Sequence, residues 1–166
     1  MTSLEHEPSL PRLARGLSLC DGFEFDLLIS PDPESLQPAL EHLIAMLERL
    51  RGAPVTVVPY RDDGPDTDLI ATILAPLLAA RACDGPTLEL HLVDATAAPF
   101  DDEARWAPLF GRMNEVRNHL RDELGAPLLI ALPPHLETTF AQMAPDFWSI
   151  RSIAVRSRSG MLWKNA

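Results

Sequence analysis

The stretch Phe23-Glu24-Phe25-Asp26-Leu27-Leu28-Ile29-Ser30-Pro31-Asp32-Pro33-Glu34-Ser35 decides the fold of this chain. Its first part, residues 23–30, has apolar and aromatic residues at alternate positions, which predicts a β-strand. Leucines at helical spacing follow and predict a helix over 33–51. Because Glu24 and Asp26 alternate with the apolar residues, the strand is expected at a sheet edge, on a partly covered face or with an exposed start.

The turn between this strand and this helix lacks the residues that bind phosphate. In nucleotide-binding α/β domains, glycines in this turn let backbone N–H groups approach a phosphate at the helix N-terminus. The turn 30–35 has no glycine and no lysine; it has two prolines, which lack N–H groups, and two carboxylates, which repel phosphate. The sequence therefore predicts the architecture of a nucleotide-binding domain without its usual phosphate site.

Strands and helices alternate along the rest of the chain. Further strands are predicted over 55–59, 87–94, 128–132 and 152–155. Further helices are predicted over 66–82 with a kink at Pro76, over 101–124 and over 135–143. The run 128–132 is apolar throughout, which is typical of a central strand covered on both faces. The alternation predicts a three-layer α/β/α sandwich with a mainly parallel five-stranded sheet.

Length and composition limit the domain count and the location. The chain has 166 residues, which suits one domain. We expect an N-terminal leader over 1–21, a single α/β domain over 22–156 and a C-terminal tail over 157–166. The start of the chain is polar and acidic, so no signal peptide is predicted. The longest apolar run, 69–80, is shorter than the roughly 20 residues that span a bilayer, so a cytoplasmic protein is expected.

Charge and cysteine usage exclude several classes of function. The formal net charge is −10, which argues against nucleic-acid binding and against anionic membranes. Cys20 and Cys83 lie neither in a CxxC pair nor near a histidine at ligand spacing, so no metal site is predicted. No nucleophile elbow is present, and neither a catalytic residue nor a cofactor is predicted.

Asp94 is the first candidate ligand residue, because it ends the predicted strand 87–94. A carboxylate at that position supports Mg²⁺ in P-loop NTPases. The next residue is Ala95, so no catalytic glutamate follows. The alternative role is structural, with the carboxylate capping the next turn, and this alternative is favoured because the chain lacks a phosphate loop.

Asn114 and Arg117 form the second candidate group, because residues three apart share one face of a helix. They offer contacts to an anion, and with Arg61 and Asp94 they form the set that a nucleotide would need. The alternative is a structural hydrogen-bond network with a carboxylate of the turn at Pro145-Asp146, which is the commoner use of such clusters.

The string 144–152 is the most distinctive local feature. Phe147 and Trp148 offer large apolar area, and Arg151 can pair with Asp146 or stack on Trp148. These residues either seat the last strand on the sheet or form a contact surface for a partner protein. We therefore predict Phe147, Trp148 and Arg151 as interaction residues.

The order of three motifs resembles one bacterial domain family. The helix motif at 113–120, Met-Asn-Glu-Val-Arg-Asn-His-Leu, resembles its LN-x-x-R-D/N helix. The run 127–134 resembles its PLVL-x-LPP strand, and the run 144–152 resembles its APDLWSIRS turn. The family is the degenerate P-loop NTPase-like α/β domain, of STAND or AAA type, found in bacterial signalling and defence proteins, often beside tetratricopeptide repeats or effector domains.

This resemblance implies an NTPase-like core with the phosphate loop lost. Asp94 matches the position of the family's Walker B aspartate, and Leu132-Pro133 matches its sensor position. The glycine-rich loop with its lysine and the glutamate after the aspartate are missing. A protein partner, or an adjoining effector or repeat domain, is the partner that the resemblance implies.

Three hypotheses follow for the function. The first is a non-catalytic regulatory or protein-interaction module. The second is a nucleotide-binding switch with unusual contacts through Arg61, Asp94, Asn114 and Arg117. The third is an NAD-cleaving enzyme like Toll/interleukin-receptor domains, suggested by the strand 25–30, although no glutamate stands at the expected helix position. Turnover of NAD by the purified protein separates the third from the others.

Overall fold

A computed structural model describes residues 10–81, 85–151 and 154–156 of the chain. Several predictions lie outside these residues: the first part of the 1–21 leader, Cys83, Ser152 and the tail over 157–166. Within the described part, the strands are β1 (Phe25–Ile29), β2 (Val55–Arg61), β3 (Leu88–Asp94), β4 (Leu128–Leu132) and β5 (Ala154–Arg156). The helices are α1 (Leu10–Ser18), α2 (Pro33–Arg51), a π-helical turn (Ile70–Leu74), α3 (Ala75–Ala79), α4 (Glu103–Glu115), α5 (Arg117–Leu124), α6 (Pro134–Met143) and α7 (Pro145–Ile150).

The predicted fold class is confirmed. The five strands form one sheet in the order β2-β3-β4-β1-β5, and each neighbouring pair is parallel. One apolar cluster joins α1 and α2 to one face of the sheet. A second cluster joins the π-helical turn and α3 to α7 to the other face. The sheet is therefore the middle layer of a three-layer sandwich.

The edge position predicted for the first strand is wrong. β1 lies between β4 and β5, and all five of its residues are buried, including Asp26. The alternating pattern misled because Asp26 faces the α1–α2 side of the sheet while fully buried. The prediction for β4 is confirmed, since all its residues are buried between the two helical layers.

Helix α2 has the bounds that its local signals predict. Asp32 is its N-cap, and Pro33 occupies the first turn, where its missing N–H costs no hydrogen bond. Gly52 ends the helix in the left-handed conformation, with φ of 65°, and its N–H donates to the Glu48 carbonyl. Both ends are therefore specified within a few residues of sequence.

The structure has a helix that the sequence analysis did not predict. α1 forms within the part of the chain predicted as a leader, and its residues Leu10, Leu13, Ala14 and Leu17 are buried against α2. Their spacing is that of an amphipathic helix, so the signal was present in the sequence.

The single long helix predicted over 101–124 is wrong. Two helices, α4 and α5, meet at Val116, whose backbone leaves the helical region with φ of −102° and ψ of 13°. The Arg117 guanidinium donates to the Asn114 carbonyl at 2.8 Å, and a continuous helix would use that carbonyl for the N–H of residue 118. The side chain thus competes with the helical hydrogen bond at the break.

Two further elements differ from prediction. The helix predicted over 66–82 is shorter and changes from a π-helical turn to α3 at Ala75, next to Pro76, where a kink was expected. Its start is marked by Asp68, whose carboxylate accepts the Ile70 N–H at 3.0 Å. The predicted turn at Pro145-Asp146 is the first turn of α7.

None of the helices in the described ranges is long and apolar enough to cross a membrane.

Candidate functional site

The carboxyl edge of the sheet is the place to look for a ligand site in an α/β fold. The crevice is expected where neighbouring strands send their following helices to opposite faces. β1 and β4 are such a pair, because α2 packs on one face and α6 packs on the other. A nucleotide phosphate would therefore be expected beside the turn Ser30–Asp32.

That crevice is filled by the chain itself. Ser30 is completely buried, and its backbone N–H donates to the Leu132 carbonyl at 2.8 Å. The Asp32 carboxylate accepts the Ser35 N–H at 2.7 Å, at the place where a phosphate would sit. Hydrogen bonds from the Ser35 hydroxyl and N–H hold the pKa of Asp32 below its usual value. The helix N-terminus thus already carries a negative charge, supplied from within.

Asp94, a predicted ligand residue, makes local contacts at the end of β3. Its Oδ1 accepts the Thr96 N–H at 3.0 Å and the Thr96 hydroxyl at 2.6 Å, so it caps the turn after β3. Its Oδ2 lies 3.5 Å from Nε of Arg61, at the end of the neighbouring strand β2. The structure thus brings Arg61 and Asp94 together as an ion pair.

Arg105 joins three segments near this pair, and sequence reasoning missed it. Its guanidinium donates to both carboxylate oxygens of Asp62, at 2.8 and 3.1 Å, and to Asp102 at 2.8 Å. It also donates to the carbonyls of Gly64 and Thr67, each at 2.9 Å. The hydrogen bonds from Arg105 lower the pKa of Asp62, and Asp62 in turn raises the pKa of Arg105.

A hollow of about 570 Å³ opens beside these residues, at the carboxyl ends of β2 and β3. Two arginines and four aspartates line it, with an apolar side made by residues 97–99 and Trp106. Arg105 is fully engaged, which leaves Arg61 as the cation with an exposed guanidinium. The excess of carboxylates makes the hollow a poor host for phosphate groups.

Asn114 and Arg117 lie in a different cluster, at the junction of α4 and α5. The Asn114 amide donates to the Asp146 carboxylate at 3.0 Å and accepts the N–H groups of Asp146 and Phe147. Arg117 lies 3.1 Å from the Asp146 carboxylate. These contacts cap α7 and match the structural alternative of the sequence analysis. In the described part of the chain, no contact links this cluster to Asp94, so the set proposed for a nucleotide is not assembled.

The three predicted interaction residues differ in burial: Phe147 is in the core, whereas Trp148 and Arg151 are partly exposed. Phe147 is fully buried, with its ring 4.9 Å from that of Phe25, so its side chain is not available to a partner. Trp148 is half-buried against the core, and the Arg151 guanidinium lies 3.9 Å above its ring. The stacking of Arg151 on Trp148 is one of the two arrangements that the sequence suggested. This pair, and not Phe147, presents surface.

A buried polar group on β2 and β3 was also missed. The Tyr60 hydroxyl lies 2.8 Å from Nδ1 of His91, and Nε2 of His91 lies 3.4 Å from the Glu89 carboxylate. Burial lowers the pKa of His91, and burial together with Glu89 raises the pKa of Tyr60. The alternation of Glu89 and His91 along the strand carried the signal, but the partner Tyr60 is distant in sequence.

The next feature is the placement of the side chains that could bind a metal ion and of the thiol of Cys20. Among residues 10–81, 85–151 and 154–156, no three His, Cys, Asp or Glu side chains lie close enough together to hold a metal ion. Cys20 is a partly buried free thiol that donates to the Gly22 carbonyl at 2.9 Å. Burial raises the pKa of Cys20, which disfavours the reactive thiolate.

Comparison with known proteins finds no matching family and only distantly similar solved structures. No protein-family model matches the chain, and no curated protein matches it. The crystal structure of the DnaC helicase loader is similar over 94% of this chain and 95% of that chain, with 10% identity and a TM-score of 0.47. A structure of Drosophila ORC bound to AT-rich DNA and Cdc6 is similar over 90% of this chain and 28% of that chain, with 12% identity and a TM-score of 0.47.

Proposed function

We propose that this chain is a non-catalytic regulatory or protein-interaction module of a bacterial signalling or defence system, built on an NTPase-like fold. The observation that carries the proposal is the filled crevice between β1 and β4. There the Asp32 carboxylate caps α2 with its own negative charge, and the backbone N–H of Ser30 is bonded to β4. A phosphate would have to displace a charge that is already well placed.

A thermal-shift titration with ATP, GTP and NAD, each with Mg²⁺, tests this point. A ligand that binds only the folded state raises the melting temperature by mass action. We expect no concentration-dependent rise up to millimolar ligand. A saturable rise with either nucleoside triphosphate would contradict the proposal, and a response to NAD would favour the enzyme hypothesis of the sequence analysis.

The half-buried pair Trp148 and Arg151 is the surface that we propose for a protein partner. Trp and Arg are enriched among residues that dominate binding energy, and here each already orients the other. The Asn114 contacts to Asp146 and Phe147 fix the start of α7 and so the direction of this surface. A partner would thus meet a pre-organised contact rather than a mobile one.

Trp148→Ala tests this surface, with Ile150→Ala as its control on the same helix. Ile150 is 52% exposed and lies outside the stacked pair. We expect Trp148→Ala to abolish capture of a partner from bacterial extract while keeping the wild-type circular dichroism, and Ile150→Ala to retain capture. Unfolding of Trp148→Ala would mean that the residue is structural. Retained capture by the folded variant would place the partner elsewhere.

A nucleotide-binding switch is the second candidate, because the hollow at the carboxyl ends of β2 and β3 has an exposed arginine, although its four carboxylates disfavour phosphate groups. Arg61 is its exposed cation, and its side chain is 59% exposed. If this candidate were correct, the titration above would saturate and Arg61→Ala would abolish the response. Arg112→Ala is the matched control, because Arg112 is an exposed arginine that does not line the hollow and is paired with Glu115.

A further inference from the structure

The turn between β3 and α4 presents a large apolar side chain to solvent. Phe100 is 87% exposed, the highest value among the large apolar side chains that the structure describes. It stands between Pro99 and Asp101, which are also exposed. In the described residues, no side chain forms an ion pair with Asp101. The turn therefore offers an aromatic ring next to an uncompensated carboxylate.

This turn is held firmly, although its tip is exposed. The Asp102 N–H donates to the Pro99 carbonyl at 3.1 Å, which closes the turn, and Arg105 holds the Asp102 carboxylate. The Phe100 ring leans on the His135 ring, with centroids 4.7 Å apart, and Nε2 of His135 lies 3.0 Å from the Pro99 carbonyl. Phe100 is thus fixed in an outward position, which reduces the entropy lost on binding.

A groove of the opposite character lies between α1 and α2. It encloses about 530 Å³ and is lined by Pro11, Arg15, His42, Met46, Arg49 and Leu50. Leu50 is 54% exposed there. None of the described residues that line the groove is a carboxylate. It is therefore an apolar groove with cationic sides.

The arginines of this groove differ from the three arginines of the clusters described above, each of which is paired with a carboxylate. Arg61, Arg105 and Arg117 lie at 3.5, 2.8 and 3.1 Å from carboxylate oxygens. Within the part of the chain that the structure describes, Arg15 and Arg49 have no carboxylate partner. In a chain with a net charge of −10, a groove with two uncompensated cations is complementary to an acidic, aromatic feature.

We propose that the β3–α4 turn of one copy of this chain docks into the α1–α2 groove of a second copy. Phe100 would pack on Met46 and Leu50, and Asp101 would face the two arginines. The turn is at the carboxyl edge of the sheet, because it follows β3. The groove residues Arg49 and Leu50 are at the opposite edge, because α2 ends there before β2 begins.

The two surfaces therefore cannot meet within one molecule, and the contact between copies is head-to-tail. A head-to-tail contact leaves a free turn at one end and a free groove at the other, so copies add one after another in an open chain, or in a ring where the rotation between copies closes it. A single turn in a single groove is a small interface, which places the contact among the weak ones. It is independent of the Trp148 surface and of any nucleotide.

Sedimentation velocity of the full chain tests this, at concentrations from about 10 µM to about 1 mM, where a weak contact saturates. Two variants remove one surface each: Phe100→Ala, and the double change Arg15→Glu with Arg49→Glu. Arg49→Glu alone serves if the double variant does not fold. Leu19→Ala is the control, because Leu19 is 82% exposed and belongs to neither surface.

We expect the wild type and Leu19→Ala to associate with rising concentration. Phe100→Ala and the groove variant should each bind roughly thirtyfold more weakly and remain monomeric. An equimolar mixture of these two variants retains one intact turn and one intact groove, so it should form a heterodimer that grows no further. A monomeric wild type at the highest concentration, association of either variant like the wild type, or a mixture that stays monomeric would each overturn the proposal. None of these outcomes depends on whether Trp148 binds a partner protein.

Discussion

Two turns at the carboxyl edge of the sheet differ in whether residues of the turn itself or distant residues satisfy their polar groups. The β1–α2 turn satisfies its groups from within over a few residues, with Ser30 buried and Asp32 capping the helix. The β3–α4 turn is longer, and the contacts that anchor it come from Arg105 and His135. The first turn is closed to ligands, whereas the second borders a hollow and presents Phe100.

This difference shows that position at the carboxyl edge does not by itself make a site. The β1–α2 turn lies at the crevice where ligands of such folds bind, but its helix N-terminus is already neutralised. The β3–α4 turn lies beside that crevice and keeps an exposed surface because distant residues hold it. Recognition in this chain is therefore expected from protein contacts at anchored turns and helices rather than from backbone N–H groups.

Among changes to the two turns, the largest effect is expected on removing the side chain that anchors the β3–α4 turn, which we call the open turn. Arg105→Ala removes the hydrogen bonds to Asp62, Asp102, Gly64 and Thr67 and leaves two carboxylates without their cation. We expect a loss of about 2 kcal/mol in the free energy of unfolding. Urea unfolding measures it. Arg112→Ala, which breaks an exposed pair with Glu115, should cost at most about 0.5 kcal/mol. Equal losses for the two variants would show that Arg105 anchors nothing.

The same anchor predicts a dependence on pH. Because Arg105 lowers the pKa of Asp62 in the folded state, the unfolded state binds more protons as pH falls below the ordinary aspartate value of about 3.8. The stabilisation by this pair is therefore complete above that pH and is lost as pH falls through the folded pKa. The difference in unfolding free energy between wild type and Arg105→Ala should shrink from pH 7 to pH 3. A constant difference would contradict the assigned cause.

A smaller effect is expected at the closed turn. Asp32→Ala removes the N-cap of α2, while Asp32→Asn keeps an oxygen that accepts the Ser35 N–H. Asp32→Ala should lower the free energy of unfolding, but by a smaller amount than Arg105→Ala does. Asp32→Asn should retain most of the wild-type free energy of unfolding. Neither variant is expected to gain nucleotide binding, because Pro31 and Pro33 still lack N–H groups. A saturable thermal shift with ATP in the Asn variant would show that charge alone closed the site.

The closed turn and its helix were predictable because their signals are local. Asp32, Pro33 and Gly52 specify both ends of α2 within the sequence itself. The break at Val116 was not predictable, because it accompanies the contacts of Asn114 and Arg117 with α7, which lies some 30 residues further along the chain. Apolar residues at helical spacing predict a helix on both sides of such a break, but they do not reveal the tertiary contact that accompanies it.

The residues of the candidate sites follow the same division. The capping role of Asp94 was foreseen, because its acceptor contacts with Thr96 lie two residues away. The Arg105 network was not, because Asp62 is 43 residues from Arg105. The buried position of Asp26 was also missed, because alternation indicates which residues share a face but not whether helices cover that face. Contacts between residues close in sequence could therefore be predicted, and ion pairs between residues distant in sequence could not.

The smallest effect is expected at the exposed tip of the open turn. Phe100 is 87% exposed, so Phe100→Ala removes little buried area and should change the free energy of unfolding by no more than about 0.5 kcal/mol. Urea unfolding at a concentration below that of any association measures this. Phe140→Ala is the matched control, because Phe140 is fully buried against Phe25 and Phe110, and its loss should cost about 3 to 5 kcal/mol. A large decrease in the free energy of unfolding of Phe100→Ala would mean that the ring supports the turn through His135. The tip of the β3–α4 turn would then not be free, and the contrast with the β1–α2 turn would fail. A negligible loss leaves Phe100 without a role in folding, so that its exposure on a rigid turn calls for a partner.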